Sequence, residues 1–125
     1  MNGDKIFVDT NICIYLLNGD RVLAEFLQNQ NVYISVITEM ELYVFDNNES
    51  SNKILDDFIA SVNVLEIDDQ IKRQTIKIRK STKLKLPDSI IAAAALVNNI
   101  PFLTADKALK RVPDLDLILY ENANL

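Results

Sequence analysis

Histidine is absent from this 125-residue chain, cysteine occurs once and glycine twice. Without histidine there is no imidazole acid–base chemistry, and most transition-metal sites lose their usual ligand. A lone Cys13 excludes an internal disulfide and a cysteine-based zinc site, which leaves the thiol the role of a small core side chain. No glycine-rich turn exists to cradle a dinucleotide. No apolar run approaches the ~20 residues needed to cross a bilayer. The opening "MNGDKIFVD" has no basic start leading into an apolar signal segment. The expectation is a cytoplasmic protein without a membrane partner. Positive charge is also scarce, with 13 Lys and Arg against 18 Asp and Glu and a net charge of −5. That balance argues against broad electrostatic affinity for nucleic acid, although local charge can override an average.

What is present is an ordinary globular composition, 49% hydrophobic and 25% charged. The length suits one domain, residues 1–125, with a real core. Short apolar runs alternate with amphipathic segments. "KIFV" reads as a buried strand, followed by helical periodicity from Asn11 through Gln28. "NVYIS" is a second strand and "VITEMELYVF" a helix; "DNNESS" is the clearest loop. Ile54, Leu55, Phe58 and Ile59 mark one face of the next helix, and "VNVLEI" is a third strand. "DDQIKRQTIKIRKSTKL" is a polar, basic helix with a thin apolar stripe. "PDSIIAAAALVNN" has Pro at a helix start and Asn at its end. "IPFLT", "DKALKRV" and "DLILY" complete the chain as strand, short helix and strand. This alternation predicts a mostly parallel sheet covered on both faces.

In such a sheet, ligands gather beyond the carboxyl ends of the strands, where the strand order reverses. Four acids in apolar surroundings fall near that edge. Asp9 ends the first strand, Glu41 lies in the helix after the second, Asp88 opens the alanine-rich helix, and Asp106 follows the fourth strand. Each has a local explanation. Asp9 and Asp106 suit helix caps, Glu41 forms a capping box with Thr38, and Asp88 sits in a first turn where negative charge suits the dipole. Together the explanation weakens, because clustered carboxylates repel unless a cation neutralises them. Hard oxygen ligands without His or Cys suit Mg²⁺ or Mn²⁺.

The stretches "FVDTN", "SVITEMEL", "LPDSIIAAAAL" and "FLTAD" resemble the four motifs of the PIN domain, in order and across essentially the whole chain. The closest group is the VapC-type toxins of toxin–antitoxin pairs. The resemblance implies a three-layer α/β/α fold with a mostly parallel five-stranded sheet. It implies a metal-dependent endoribonuclease leaving 5′-phosphate and 3′-hydroxyl ends. It carries over Asp9, Glu41, Asp88 and Asp106 as the catalytic quartet, with Asp9, Asp88 and Asp106 as metal ligands, direct or through water. Glu41 is a ligand or orients the attacking water. Asn11, Thr104, Ser35 and Thr38 match supporting polar positions. An antitoxin partner and a homodimer are further implications. The stretch "ELYVFDNN" departs from the family pattern, which often places a glycine shortly after the motif-two glutamate.

RNA needs a positive surface. Lys72, Arg73, Lys77, Arg79, Lys80, Lys83 and Lys85 form a run free of acids that leads directly to Asp88. Such residues position phosphates without reading sequence. A solvated helix face explains the run equally well on charge alone, and its place beside the quartet favours RNA. Lys107, Lys110 and Arg111 offer a second rim. The apolar helix after Asp9, with Tyr15 and Leu16, and the segment "ELYVF" suit a partner helix. Other acid-based phosphotransfer folds fit less well. A haloacid-dehalogenase phosphatase needs a second Asp where Asn11 stands, and a receiver domain needs a central phospho-acceptor Asp that has no counterpart. The remaining alternative is a catalytically silent PIN-like module that binds RNA or protein.

Overall fold

The computed structural model describes residues 3–45 and 52–121. The segment "DNNESS", expected to be a loop, lies outside them. Five strands form one sheet: β1 (Lys5–Val8), β2 (Asn31–Ser35), β3 (Asn63–Leu65), β4 (Phe102–Thr104) and β5 (Leu117–Leu119). Their order is β3-β2-β1-β4-β5, and every neighbouring pair is parallel. The chain therefore steps outward from β1 to one edge, then returns to build the other side. The reversal falls between β1 and β4, which makes the ends of these two strands the place for a ligand.

Among the described residues, six α-helices cover the two faces: α1 (Thr10–Leu17), α2 (Arg21–Leu27), α3 (Val36–Phe45), α4 (Asn52–Ser61), α5 (Asp69–Thr82) and α6 (Leu86–Val97). A short 3-10 helix spans Lys107–Arg111. The period-2 alternation of β1 distributes its side chains between two cores. Phe7 meets Phe102 edge-on, with ring centroids 5.6 Å apart, in the core beneath α5 and α6. Ile6 and Val8 point the other way, toward Ile12, Leu23, Leu42 and Leu55 of the first four helices. The result is the expected three-layer α/β/α architecture, with a wholly parallel sheet. In α6 the buried run Ala92–Ala95 keeps the helix surface low, so α5 and the sheet approach closely. Cys13 is buried in the second core, where burial pushes its thiol pKa up, as befits an inert packing residue.

One expected helix is two. The periodicity from Asn11 to Gln28 is broken between Leu17 and Arg21. Gly19 has φ of 95°, and the Gly19 and Asp20 N–H groups return to the Leu16 and Tyr15 carbonyls. This is a helix end closed in the left-handed region, which glycine enters without penalty. Asp20 then caps α2, accepting from the Leu23 N–H at 3.0 Å. Apolar spacing runs straight through the turn, so periodicity alone hides the break. Ile54, assigned to the apolar face of α4, is 65% exposed, whereas Leu55 is buried. Among the described residues no helix is long and apolar enough to cross a membrane.

Candidate active site

Four acids arrive at one cleft from four different elements. Asp9 follows β1 and caps α1, Glu41 lies on α3, Asp88 stands in the first turn of α6, and Asp106 follows β4. The cleft has a volume of about 480 Å³. Its polar wall is Asp9, Thr10, Asn11, Glu41, Asp88 and Asp106. Its apolar wall is Ile14, Met40, Val44, Phe45 and Ile91. No lysine or arginine is in that lining.

The capping roles expected for Asp9 and Asp106 are real and do not compete with a shared site. Asp9 Oδ1 accepts from the Ile12 N–H at 3.1 Å, which uses one oxygen as the helix cap. Its Oδ2 accepts from the hydroxyl of Thr104, a fully buried residue 95 positions away. Thr104 Oγ1 in turn accepts from the Asp106 N–H at 3.0 Å. One hydroxyl thus fixes the end of β4 against the end of β1, orienting the Asp9 carboxylate and tying down the Asp106 backbone. Asp106 caps the 3-10 helix through the Ala108 N–H at 2.9 Å. The capping box proposed for Thr38 and Glu41 is not what starts α3. The helix begins at Val36, and the Ser35 hydroxyl accepts the Ile37 N–H at 3.0 Å. Thr38 and Glu41 instead share a partner across the cleft, Thr10, whose hydroxyl lies 3.0 Å from Thr38 Oγ1 and 2.6 Å from Glu41 Oε1.

The electrostatics follow from this crowding. Asp9 is only 8% exposed, and its pKa is pushed up to about 6. Burial is the main cause, the Thr104 and Ile12 hydrogen bonds work against it, and the charges of Asp106 and Asp88 add to it. Asp88 is also raised, by burial first and then by Asp106 and Glu41, with Lys85 partly offsetting them. The acids sense one another through the cleft, and a cation would relieve both the repulsion and the burial cost.

The donor set fits a hard divalent ion, with a restriction. Among the described residues no three acidic, cysteine or histidine side chains stand close enough to hold an ion among themselves. A closed protein cage is therefore absent. Mg²⁺ does not require one, since it keeps several waters and is commonly held by one or two carboxylates together with substrate phosphate. The carboxylates on the cleft wall suit that open mode.

Of the expected supporting residues, Thr104 and Thr38 bond to the acids or their partners, Asn11 is exposed on the cleft wall, and Ser35 serves the β2–α3 junction. Sequence reasoning does not single out Thr10. Its only local signal is a hydroxyl beside Asp9 in "VDTN", which reads equally well as a helix start. The basic residues are placed less uniformly. Lys85 immediately precedes α6 and lies close enough to act on Asp88. Lys83 sits in the left-handed region at the end of α5. Arg79 donates to the Leu84 carbonyl and so braces the α5–α6 connection. Lys72 and Arg73, ten residues before the end of the helix, are about 15 Å further along it and face Asp69 at 3.4 and 3.7 Å. Lys77, Lys80 and Lys107 are exposed.

With this geometry in place, the likeness to known proteins takes its meaning. The PIN domain family model matches residues 6–115, and the chain belongs to that family. It is similar to a toxin–antitoxin complex from Klebsiella pneumoniae, at 29% identity and a TM-score of 0.83, covering 94% of this chain and 99% of the other. It is also similar to VapBC-1 from nontypeable Haemophilus influenzae, at 28% identity and a TM-score of 0.80, covering 92% and 97%. DNA-bound VapBC from Salmonella typhimurium matches at 25% identity with a TM-score of 0.79, covering 94% and 98%. No curated protein matches the chain.

Proposed function

We propose that this chain is a Mg²⁺- or Mn²⁺-dependent endoribonuclease and the toxin of a VapBC-type toxin–antitoxin pair. The observation that carries the reading is the convergence of Asp9, Glu41, Asp88 and Asp106 on one cleft at the reversal point of the sheet, without a cationic side chain in its lining. Family membership and likeness to toxin–antitoxin proteins support it.

Asp9, Asp88 and Asp106 hold the ion, directly or through water, and Glu41 orients the attacking water or completes the ligand set. A bound divalent ion supplies Lewis-acid polarisation of a phosphoryl oxygen and lowers the pKa of a bound water. Thr104 holds the Asp9 carboxylate and the Asp106 backbone, and the Ala108 N–H holds the Asp106 carboxylate, which pre-orients both acids toward the cleft. Lys85, which acts on Asp88, contacts RNA phosphates together with Lys80, Lys83 and Lys107, and Lys72, Arg73 and Lys77 extend that surface along α5. The exposed apolar wall, with Val44 79% and Phe45 64% exposed, receives a helix of the antitoxin, and a cationic side chain of that partner fills the acidic cleft.

The decisive experiment is cleavage of an RNA panel with and without EDTA, with Asp9→Asn and Asp88→Asn as controls and the end groups of the products identified. Metal-dependent cleavage lost in both variants supports the reading. Cleavage that survives excess EDTA removes the metal mechanism, and RNA binding without cleavage under any divalent ion assigns the chain to the silent binding module.

A further inference from the structure

Thr10 and Thr38 form a bonded line that ends on Glu41. A hydroxyl carries one proton and two acceptor lone pairs, and a carboxylate only accepts. Thr10 Oγ1 stands 2.6 Å from Glu41 Oε1, the spacing of a hydroxyl donating to a charged oxygen. Its single proton is therefore committed to Glu41. The 3.0 Å separation between Thr10 and Thr38 must then be bridged by the Thr38 proton. Thr38 is fully buried, and this bond supplies the partner its hydroxyl requires. The two dipoles point the same way, toward the carboxylate, and reinforce each other.

The local structure explains why the line forms. Thr38 and Glu41 are three residues apart on α3 and so share a face. That face meets the first residue of α1, Thr10, whose neighbour Asp9 fixes the helix start. The β-branch of Thr10 leaves its χ1 few choices, so the hydroxyl is held in place. Glu41, by contrast, has a long flexible side chain that would sample many rotamers on a cleft wall.

We infer that Thr10 is a positioning residue for Glu41, acting as the middle of a hydroxyl relay anchored at the buried Thr38. The inference deepens the nuclease reading and rests on it. A tie that only joined α1 to α3 would show in stability alone. Positioning shows in turnover, and only while Glu41 is present.

The test uses the full chain, a fluorescent RNA substrate and saturating Mg²⁺. Thr10→Val keeps the shape and removes the proton, whereas Thr10→Ser keeps the proton. Thr10→Val should lower kcat roughly 10–100-fold with KM within about threefold, and Thr10→Ser should stay within about fivefold of wild type. On a Glu41→Gln background, Thr10→Val should cost less than about a further twofold, because effects of groups acting as a unit do not add. In the metal-free protein, the Glu41 carboxyl-carbon resonance should be the same in wild type and Thr10→Ser and displaced in Thr10→Val. Turnover by Thr10→Val equal to wild type, or a full additional loss on the Glu41→Gln background, overturns the relay. Should Thr10→Val not fold, Thr38→Val takes its place, with a smaller fall in kcat and the same displaced resonance. A wild type that cleaves no RNA refutes the nuclease reading, and the resonance measurement then decides the relay by itself.

Discussion

The acidic cleft and the basic flank of α5 contain charges of opposite sign, and the fold treats them in opposite ways. In the cleft, each oxygen of Asp9 has a specific donor, the side chain is nearly buried, and its pKa is displaced upward. Along α5, Lys72, Arg73, Lys77 and Lys80 are exposed, and the ion pairs that Lys72 and Arg73 make with Asp69 belong to a class that contributes little. A carboxylate that is buried and crowded by others is hard to explain by solubility. An exposed lysine is easy to explain that way. The cleft therefore carries the chemical argument, and only the α5 residues near Asp88 inherit weight from it.

The sharpest way to break this comparison is at Asp9. Asp9→Asn should reduce RNA cleavage by more than about a hundredfold, beyond what loss of an outer-shell partner costs. A cleavage assay that finds both Asp9→Asn and Asp88→Asn fully active would return the cleft to the status of ordinary helix caps.

The same substitution makes a stability prediction with a definite sign. An acid whose folded pKa is raised adds stability below its unfolded value and loses it as pH rises through the folded value. For Asp9 the window runs from 3.8 to about 6. The metal-free wild type should lose roughly 2 kcal/mol relative to Asp9→Asn between pH 4 and pH 7. Mg²⁺ at a hundred times its dissociation constant should restore about 2.7 kcal/mol to wild type and little to the variant. Thermal melting in EDTA and across a Mg²⁺ titration at fixed ionic strength measures both. Equal Mg²⁺ gains, with Asp9→Asn much less stable in EDTA, would reduce Asp9 to a cap.

On the basic side the expected effect is smaller and graded. Replacing Lys80, Lys83 and Lys85 with Ala should weaken RNA binding and lower the slope of log affinity against log salt by about 2, if each neutralises one phosphate of a single strand. Replacing Lys72 and Arg73 should change that slope by less than about 1. Filter binding over a salt series distinguishes the groups, and unchanged slopes for both would mean that the whole flank is merely solvated.

The smallest effect concerns Lys83 itself, which ends α5 at φ of 60°. Lys83→Gly should stabilise the chain by up to about 1 kcal/mol, because glycine enters the left-handed region freely. Urea unfolding would show it, and a loss of stability would mean that the lysine side chain, rather than its backbone, matters there.

Much of the fold could be read along the chain. Strands as short as "KIFV" and "FLT" announced themselves by apolar runs between polar punctuation, and α5 by its thin apolar stripe. Periodicity hides the turn at Gly19 because its neighbours keep helical spacing through a bend in the backbone. The glycine before Asp20 was the signal that could have revealed it. The four acids could be found as a set because each stands next to an element boundary or within an apolar helix.

The sequence by itself determined most of the elements, their polarity, and which acids lie at the ends of strands, since these depend on residues close together in the chain. Tertiary structure decided which side chains meet. Thr104 reaches Asp9 across 95 residues only because β4 lies beside β1. Thr10 reaches Thr38 and Glu41 across 28 and 31 residues only because α1 and α3 cover the same face of the sheet. Local periodicity sets which face of a strand or helix is apolar. The order of strands follows from how all those faces are buried at once, and the bonds across the cleft follow from that order.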